Sequence, residues 1–237
     1  MATTEIILIA AAFAAGSFIF GASGFGFGLV TVPLLGIVLP IKEAIALQLP
    51  YAYLVAFASA WHYRRHLDWR AMWPLLAGSL LALPLGVAAL HYLPERPMKY
   101  FLALFIVTTI AVSGRKFFRK LHNPYGYGAV SGVFQGAFTT GGPPAMLYLL
   151  AACNDPRAVK GTNGLYFIFL YGATTALYAV SGVVSGQDIP QAAWFAPAVL
   201  IGGLAGYWAG ARLNFQQYRN LVNGLLIASA LLLAWRA

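Results

Sequence analysis

The sequence predicts an all-α, polytopic helical membrane protein: two inverted repeats, each a re-entrant or broken helical hairpin plus three transmembrane helices. Three observations predict it: an apolar composition, a pair of glycine-rich breaks, and a lopsided distribution of basic residues. Of the 237 residues, 60% are hydrophobic and 9% charged, and the mean hydropathy is +0.73. A soluble domain carries charge on about a quarter of its residues. The apolar runs recur along the whole chain between short polar loops, which excludes a single anchor attached to a soluble domain.

Within the first apolar run, 4–20, the segment Ile6 to Phe20 lacks a basic leader and is preceded by Glu5, so it reads as mature protein and not as a cleaved signal. The break Gly21-Ala22-Ser23-Gly24-Phe25-Gly26-Phe27-Gly28 follows, and then a run over 27–39. Thirteen residues at 1.5 Å each do not cross about 30 Å of hydrocarbon, so this run is expected to turn back on the first. The runs 44–62, 70–91 and 98–114 are expected to be full crossings. The second half repeats the order: 126–138, the break Gly136-Ala137-Phe138-Thr139-Thr140-Gly141-Gly142-Pro143-Pro144, a short run 143–152, and crossings over 160–182, 190–211 and 217–235.

An internal match supports two halves, 1–120 and 121–237. Gly21-Ala22 aligns with Gly136-Ala137, Ala46-Leu47-Gln48 with Gly161-Thr162-Asn163, Asp68 with Asp188, Gly78 and Gly86 with Gly202 and Gly210, and Lys99 with Arg219. Charge then sets their relative orientation. If each broken segment returns to its own side, Arg64, Arg65, Arg70, Arg115, Lys116, Arg119, Lys120, Arg157, Lys160, Arg212 and Arg219 share one face, leaving Lys42, Arg96, Lys99 and Arg236 opposite. Eleven against four places the first face in the cytoplasm and both termini outside a cytoplasmic (inner) membrane. The net charge of +9 thus reads as topology, and no nucleic-acid partner is expected, because the basic residues form no continuous stripe. The tryptophans, mostly near span ends, read as an aromatic belt in membrane lipid.

At its glycine breaks the chain resembles the sulfite exporter TauE/SafE family, also called the toluene sulfonate uptake permeases. The resemblance rests on Gly24-Phe25-Gly26-Phe27-Gly28-Leu29-Val30-Thr31-Val32-Pro33-Leu34 and Gly141-Gly142-Pro143-Pro144-Ala145-Met146-Leu147-Tyr148, and extends to Tyr63-Arg64-Arg65-His66-Leu67-Asp68-Trp69-Arg70 and Lys160-Gly161-Thr162-Asn163. It implies transport of a small sulfur oxyanion or an organosulfonate. Phe25 and Phe27 depart from the family's near-continuous glycine run and point to a bulkier or more apolar substrate.

The physical reading agrees. Paired broken helices in corresponding halves mark a transporter's binding site, and a half-helix starting inside the membrane offers unpaired N–H groups and a positive dipole end to an anion. The expected substrate site is therefore Ser23, Gly24, Phe25, Gly26, Phe27 and Gly28 at the first tip, and Gln135, Thr139, Thr140, Gly141 and Gly142 at the second. Pro143-Pro144 suits the first turn of the second half-helix, where a missing N–H costs little. Gln48 and Asn163, at matching positions, are neutral amide donors suited to a releasable anion. The first tip is expected to hold an apolar tail and the second an oxyanion head, which favours an organosulfonate over bare sulfite. An anion channel on the same scaffold is the alternative.

Enzymatic roles find no support, because the single cysteine, Cys153, and four dispersed histidines supply neither metal ligands nor a catalytic cluster. No cofactor is expected. Either the anion moves down its own gradient or protons accompany it. Glu43, beside Lys42 at the end of the first hairpin, is the candidate gate or proton carrier.

Overall fold

The computed structural model describes residues 3–94, 97, 98, 100, 101, 104, 123–153, 155–182, 193–210 and 212 of the 237. All regular structure among them is helical: α1 (Thr3–Ser23), α2 (Phe27–Leu35), α3 (Ile41–His62), α4 (Trp69–Tyr92), α5 (Pro124–Phe138), α6 (Gly142–Ala152), α7 (Pro156–Val180) and α8 (Ala196–Gly210). Short 3-10 turns occupy Arg64–His66 and Ala193–Phe195. Helices α1, α3 and α4 are each long and apolar enough to cross a bilayer. The run expected over 98–114 lies largely, and that over 217–235 wholly, outside the described residues, as do the 115–120 basic cluster and Asp188.

Local chemistry explains where the helices start. Asp68, Asn123 and Asp155 cap α4, α5 and α7, accepting from the N–H groups of Ala71, Gly126 and Arg157 at 3.0, 3.2 and 3.0 Å; each cap contributes about 1 kcal/mol. The Asp155-Pro156 start places α7 one turn ahead of the expected residue 160, with Arg157 and Lys160 inside the helix. Pro40 likewise starts α3 at Ile41, ahead of residue 44, with Lys42 and Glu43 exposed on its first turn.

Both short segments fold back. Along α1 and α2, Gly26 lies beside Ile19, Gly16 against Phe27 and Thr31, and the rings of Phe13 and Phe27 sit 6.2 Å apart. Along α5 and α6, Ser131 Oγ donates to Gly141 O at 2.6 Å, and the Tyr127 and Tyr148 rings are 6.2 Å apart. Increasing residue number on one helix thus meets decreasing number on the other in both pairs.

The hairpins are held by two parallel helix pairs with one packing device. An added Cβ at Gly202 or Gly206 of α8 would stand 2.3 or 2.0 Å from the Ala14 or Phe18 carbonyl of α1. At Gly132 or Gly136 of α5 it would stand 2.2 or 2.5 Å from the Ser79 or Leu83 carbonyl of α4. Small residues bring the backbones into direct contact, which is how helices associate where lipid removes the hydrophobic drive. Helix α1 therefore packs on α8, and α5 on α4. Between these pairs α3 and α7 cross, with Gly164 against Ala56 and Ala60.

Polarity runs inside out relative to a soluble protein. Leu81, Leu85 and Ile201 in mid-helix are exposed, and Trp61, Trp69, Trp73, Trp194 and Trp208 are exposed as expected for a lipid belt. Ser79, Ser131, Gln48, Gln135, Asn163 and Thr174 are fully buried. Polar side chains in hydrocarbon need partners within the protein. One set of donors that satisfies the largest cluster runs from Ser79 Oγ to Tyr166 OH (2.6 Å), to Ser131 Oγ (2.7 Å), to Gly141 O (2.6 Å), tying α4, α5 and α7 to the second hairpin.

Candidate functional site

The two hairpin tips meet at the centre of the protein. A Cβ at Gly28, in the first turn of α2, would lie 2.3 Å from Thr139 O, and one at Gly142, where α6 begins, would lie 3.6 Å from the Phe25 ring. The tips are opened by left-handed residues at corresponding places: Gly24 has φ 81° and Thr139 φ 53°. A threonine there is strained by an amount of order 1–3 kcal/mol. It is fixed by hydrogen bonds, since Thr139 Oγ1 donates to Phe138 O at 2.6 Å and accepts from Gln48 Nε2.

All thirteen residues expected at the site converge here, but with different duties. Gln48 is engaged at both ends of its amide: Nε2 donates to Thr139, and Oε1 accepts from Thr31 Oγ1 of α2. It is a strut between the tips where a free anion donor was expected. Ser23 is likewise absorbed by its own turn, its hydroxyl lying 2.7 Å from both Ile19 O and Phe25 O. Phe27 is buried against Phe13, so its ring belongs to the core of the first hairpin, while Phe25 lies across Gly142.

The remaining polar residues keep unmet capacity. Asn163 Nδ2 donates to Gly24 O at 2.7 Å, which fixes the amide orientation and leaves Oδ1 without a partner. Gln135 Oε1 accepts from the Gly141 N–H at 3.3 Å, leaving Nε2 unpaired. Thr140 Oγ1 has no partner either. Each such buried atom costs about 1–3 kcal/mol if it stays unsatisfied. At the first tip, the N–H groups of Phe27, Gly28 and Leu29 precede the first i→i−4 bond of α2, which is made by Val30 to Gly26 O at 3.2 Å. At the second tip Pro143 and Pro144 have no N–H to offer. The first tip therefore supplies most of the backbone donors, and the second supplies side-chain groups.

The space between the tips is small. A cavity of about 10 Å³, bordered by Gly26, Gly28, Thr139, Thr140, Phe167 and Tyr171 among others, has room for a single water at most. The tips are closed on each other.

A half-buried lysine stands over the first tip. Lys160 Nζ donates to Ala22 O at 2.9 Å, and its side chain lies against Gly24. Next to it are Gly161 against Tyr63 and Ser59 Oγ donating to Lys160 O at 3.1 Å. Burial, and then Tyr207, push the Tyr63 phenol up, and the Arg157 guanidinium partly reverses this. Arg157 and Lys160 thus share the end of the protein that holds Tyr63, while Lys42 lies at the opposite end of α3, donating to His91 O at 3.3 Å. Glu43, the expected gate, is exposed on that opposite end and takes no part in the tip junction. Cys153, buried at the end of α6, faces Asp68 Oδ2 at 4.0 Å, and burial followed by the Asp68 charge raises its thiol to about 11.

Sequence reasoning missed Thr31, Ser79, Ser131 and Tyr166. Serines among glycines read as small packing residues, and a tyrosine in mid-helix reads as core. Their bonds become visible only across helices.

The model of the family described as Sulfite exporter TauE/SafE matches residues 8–233 of the chain. No curated protein and no solved structure matches it significantly.

Proposed function

The chain belongs to the sulfite exporter TauE/SafE family, membrane transporters of sulfur compounds, and from that premise we propose that it is a secondary carrier moving a sulfur oxyanion or organosulfonate across the cytoplasmic membrane by alternating access. The observation that carries this reading is the set of buried, unpaired polar atoms at the junction of the tips: Gln135 Nε2, Thr140 Oγ1 and Asn163 Oδ1. Thr140 borders the cavity between the tips beside Gly26 and Gly28, whereas Gln135 and Asn163 hold the tip residues Gly141 and Gly24. With the leading N–H groups of α2 they would make a neutral, donor-rich lining once the tips part, one that holds an anion and lets it leave. Asn163 Oδ1, an acceptor, suits a protonated oxygen of the anion or a water beside it. The reading treats 1–120 and 121–237 as inverted repeats with both termini outside, in keeping with the two matching helix pairs and the two left-handed tip residues. Because the tip cavity holds about 10 Å³, substrate binding requires the hairpins to part, which a carrier does and a standing pore does not.

Proteoliposomes containing the purified protein test it with labelled sulfite and a panel of sulfonates. Saturable uptake that accelerates when unlabelled substrate is placed on the far side is expected. Current without counterflow would establish a channel, and neither uptake nor binding of any oxyanion would refute the reading.

A further inference from the structure

A second cavity of about 340 Å³ opens between α1, α3 and α8, within the range of small-molecule sites, roughly 300–1,000 Å³. Its walls are apolar, among them Leu54, Val55, Ala58, Leu200 and Leu204, and it ends at Lys160, Tyr63, His62 and Tyr207. Gly24 of the first tip also lines it, so the cavity adjoins the tip junction. Lys160 places one proton on Ala22 O and pairs with no carboxylate among the described residues, leaving charge and donor capacity toward the cavity. Tyr207 OH and His62 Nε2, 3.0 Å apart, add a polar rim. Between α4, α5 and α7, Tyr166 bridges Ser79 and Ser131, and Tyr178 donates to Gly136 O at 2.7 Å.

We propose that this groove is a binding site for an organic anion with a short apolar body, its acidic head on Lys160 and its body against Leu54, Leu200 and Leu204, held before it reaches the tips. It is thus a site distinct from the tip junction, and it selects substrates by their tails. Charge complementarity decides the sign of the head, and the apolar walls decide the body. A two-chain lipid exceeds the enclosed volume, whereas an arylsulfonate fits. The place of the site on a transport path rests on the carrier reading above; the site itself does not.

The test is protection of a thiol from labelling. In Cys153→Ala protein held in phosphatidylcholine nanodiscs, Ala58→Cys presents a thiol inside the groove. Its thiolate attacks the sulfenyl sulfur of 2-sulfonatoethyl methanethiosulfonate, forming a mixed disulfide and releasing methanesulfinate. Saturating p-toluenesulfonate is expected to slow this labelling about tenfold, and equal methanesulfonate to leave it unchanged. Lys160→Gln should raise the p-toluenesulfonate concentration for half-protection about tenfold or more, as losing a hydrogen bond to a charged group does, and Lys160→Arg should restore most of it. A groove filled by Ala58→Phe should lose p-toluenesulfonate binding in calorimetry by a similar factor. No protection, or equal protection in Lys160→Gln, overturns the proposal. So does protection by added phosphatidylglycerol in place of the sulfonate, which would make the occupant a lipid. Sulfite transport with an unprotected Ala58→Cys removes the groove alone. Protection without transport of any sulfur oxyanion removes the carrier reading and leaves the groove as a binding site.

Discussion

Asn163 Nδ2, on α7, donates to the Gly24 carbonyl at the first hairpin tip over 2.7 Å. Gln48, on α3, donates to Thr139 at the second tip. Each tip is thus clasped by a neutral amide from the helix that follows the other hairpin. The bonds are buried, so neither is replaced by water when the tips are closed. If the tips part during transport, these are bonds that must break and re-form.

Asn163→Leu should therefore leave the Gly24 carbonyl unsatisfied and destabilise the protein by about 1–3 kcal/mol. Thermal unfolding in detergent measures the loss, and Asn163→Gln should not restore it, because the added methylene overfills a fully buried position.

Gly28 and Gly142 should differ sharply in tolerance. Gly28→Ala drives a methyl to 2.3 Å from Thr139 O, whereas at Gly142 the nearest atom, in the Phe25 ring, is 3.6 Å away. Gly28→Ala is expected to abolish uptake in proteoliposomes, and Gly142→Ala to retain it within a few-fold. A bulky residue at Gly142 should fail, since it must displace Phe25.

A Cβ at Gly142 would lie 3.8 Å from Phe25 Cβ, inside the roughly 3.5–4.5 Å span of disulfides. Phe25→Cys with Gly142→Cys, in a Cys153→Ala background, is expected to oxidise readily and stop transport, with recovery on reduction. Unimpaired transport by the oxidised protein would show that the tips stay together throughout the cycle.

Thr140→Val removes an unpaired buried hydroxyl while keeping its shape. A hydroxyl that serves only the fold makes the variant as stable as the parent or more so, with substrate affinity unchanged. As a substrate donor, its removal should weaken affinity about tenfold, measured by binding competition with sulfite. Stability and affinity should thus move in opposite directions.

The legible part of the protein was that set by repeating or extreme chemistry. Hydropathy marked the helices, glycine and proline marked both hairpin turns, and Asp-Pro and Asn-Pro starts were present for α7 and α5, although charge at Arg157 and Lys160 hid one turn of α7. Position alone put Gln48 and Asn163 beside the tips, because both follow a short returning segment at the same interval. Their individual bonds were not legible, since each partner lies 91 or 139 positions away.

By itself the sequence determined that the chain lies in a membrane and that it doubles back at two glycine breaks. These follow from properties that add along the chain: apolar length, backbone freedom and local capping. Only the tertiary structure decided which polar atoms are used up by the fold and which stay unpaired. Gln48 and Ser23 were consumed, whereas Gln135 and Thr140 kept free donors, because hydrogen bonding depends on distance and angle between helices that are remote in sequence. The same packing closed the tips on each other and left the space beside Lys160 open, a difference that no single residue in the sequence announces.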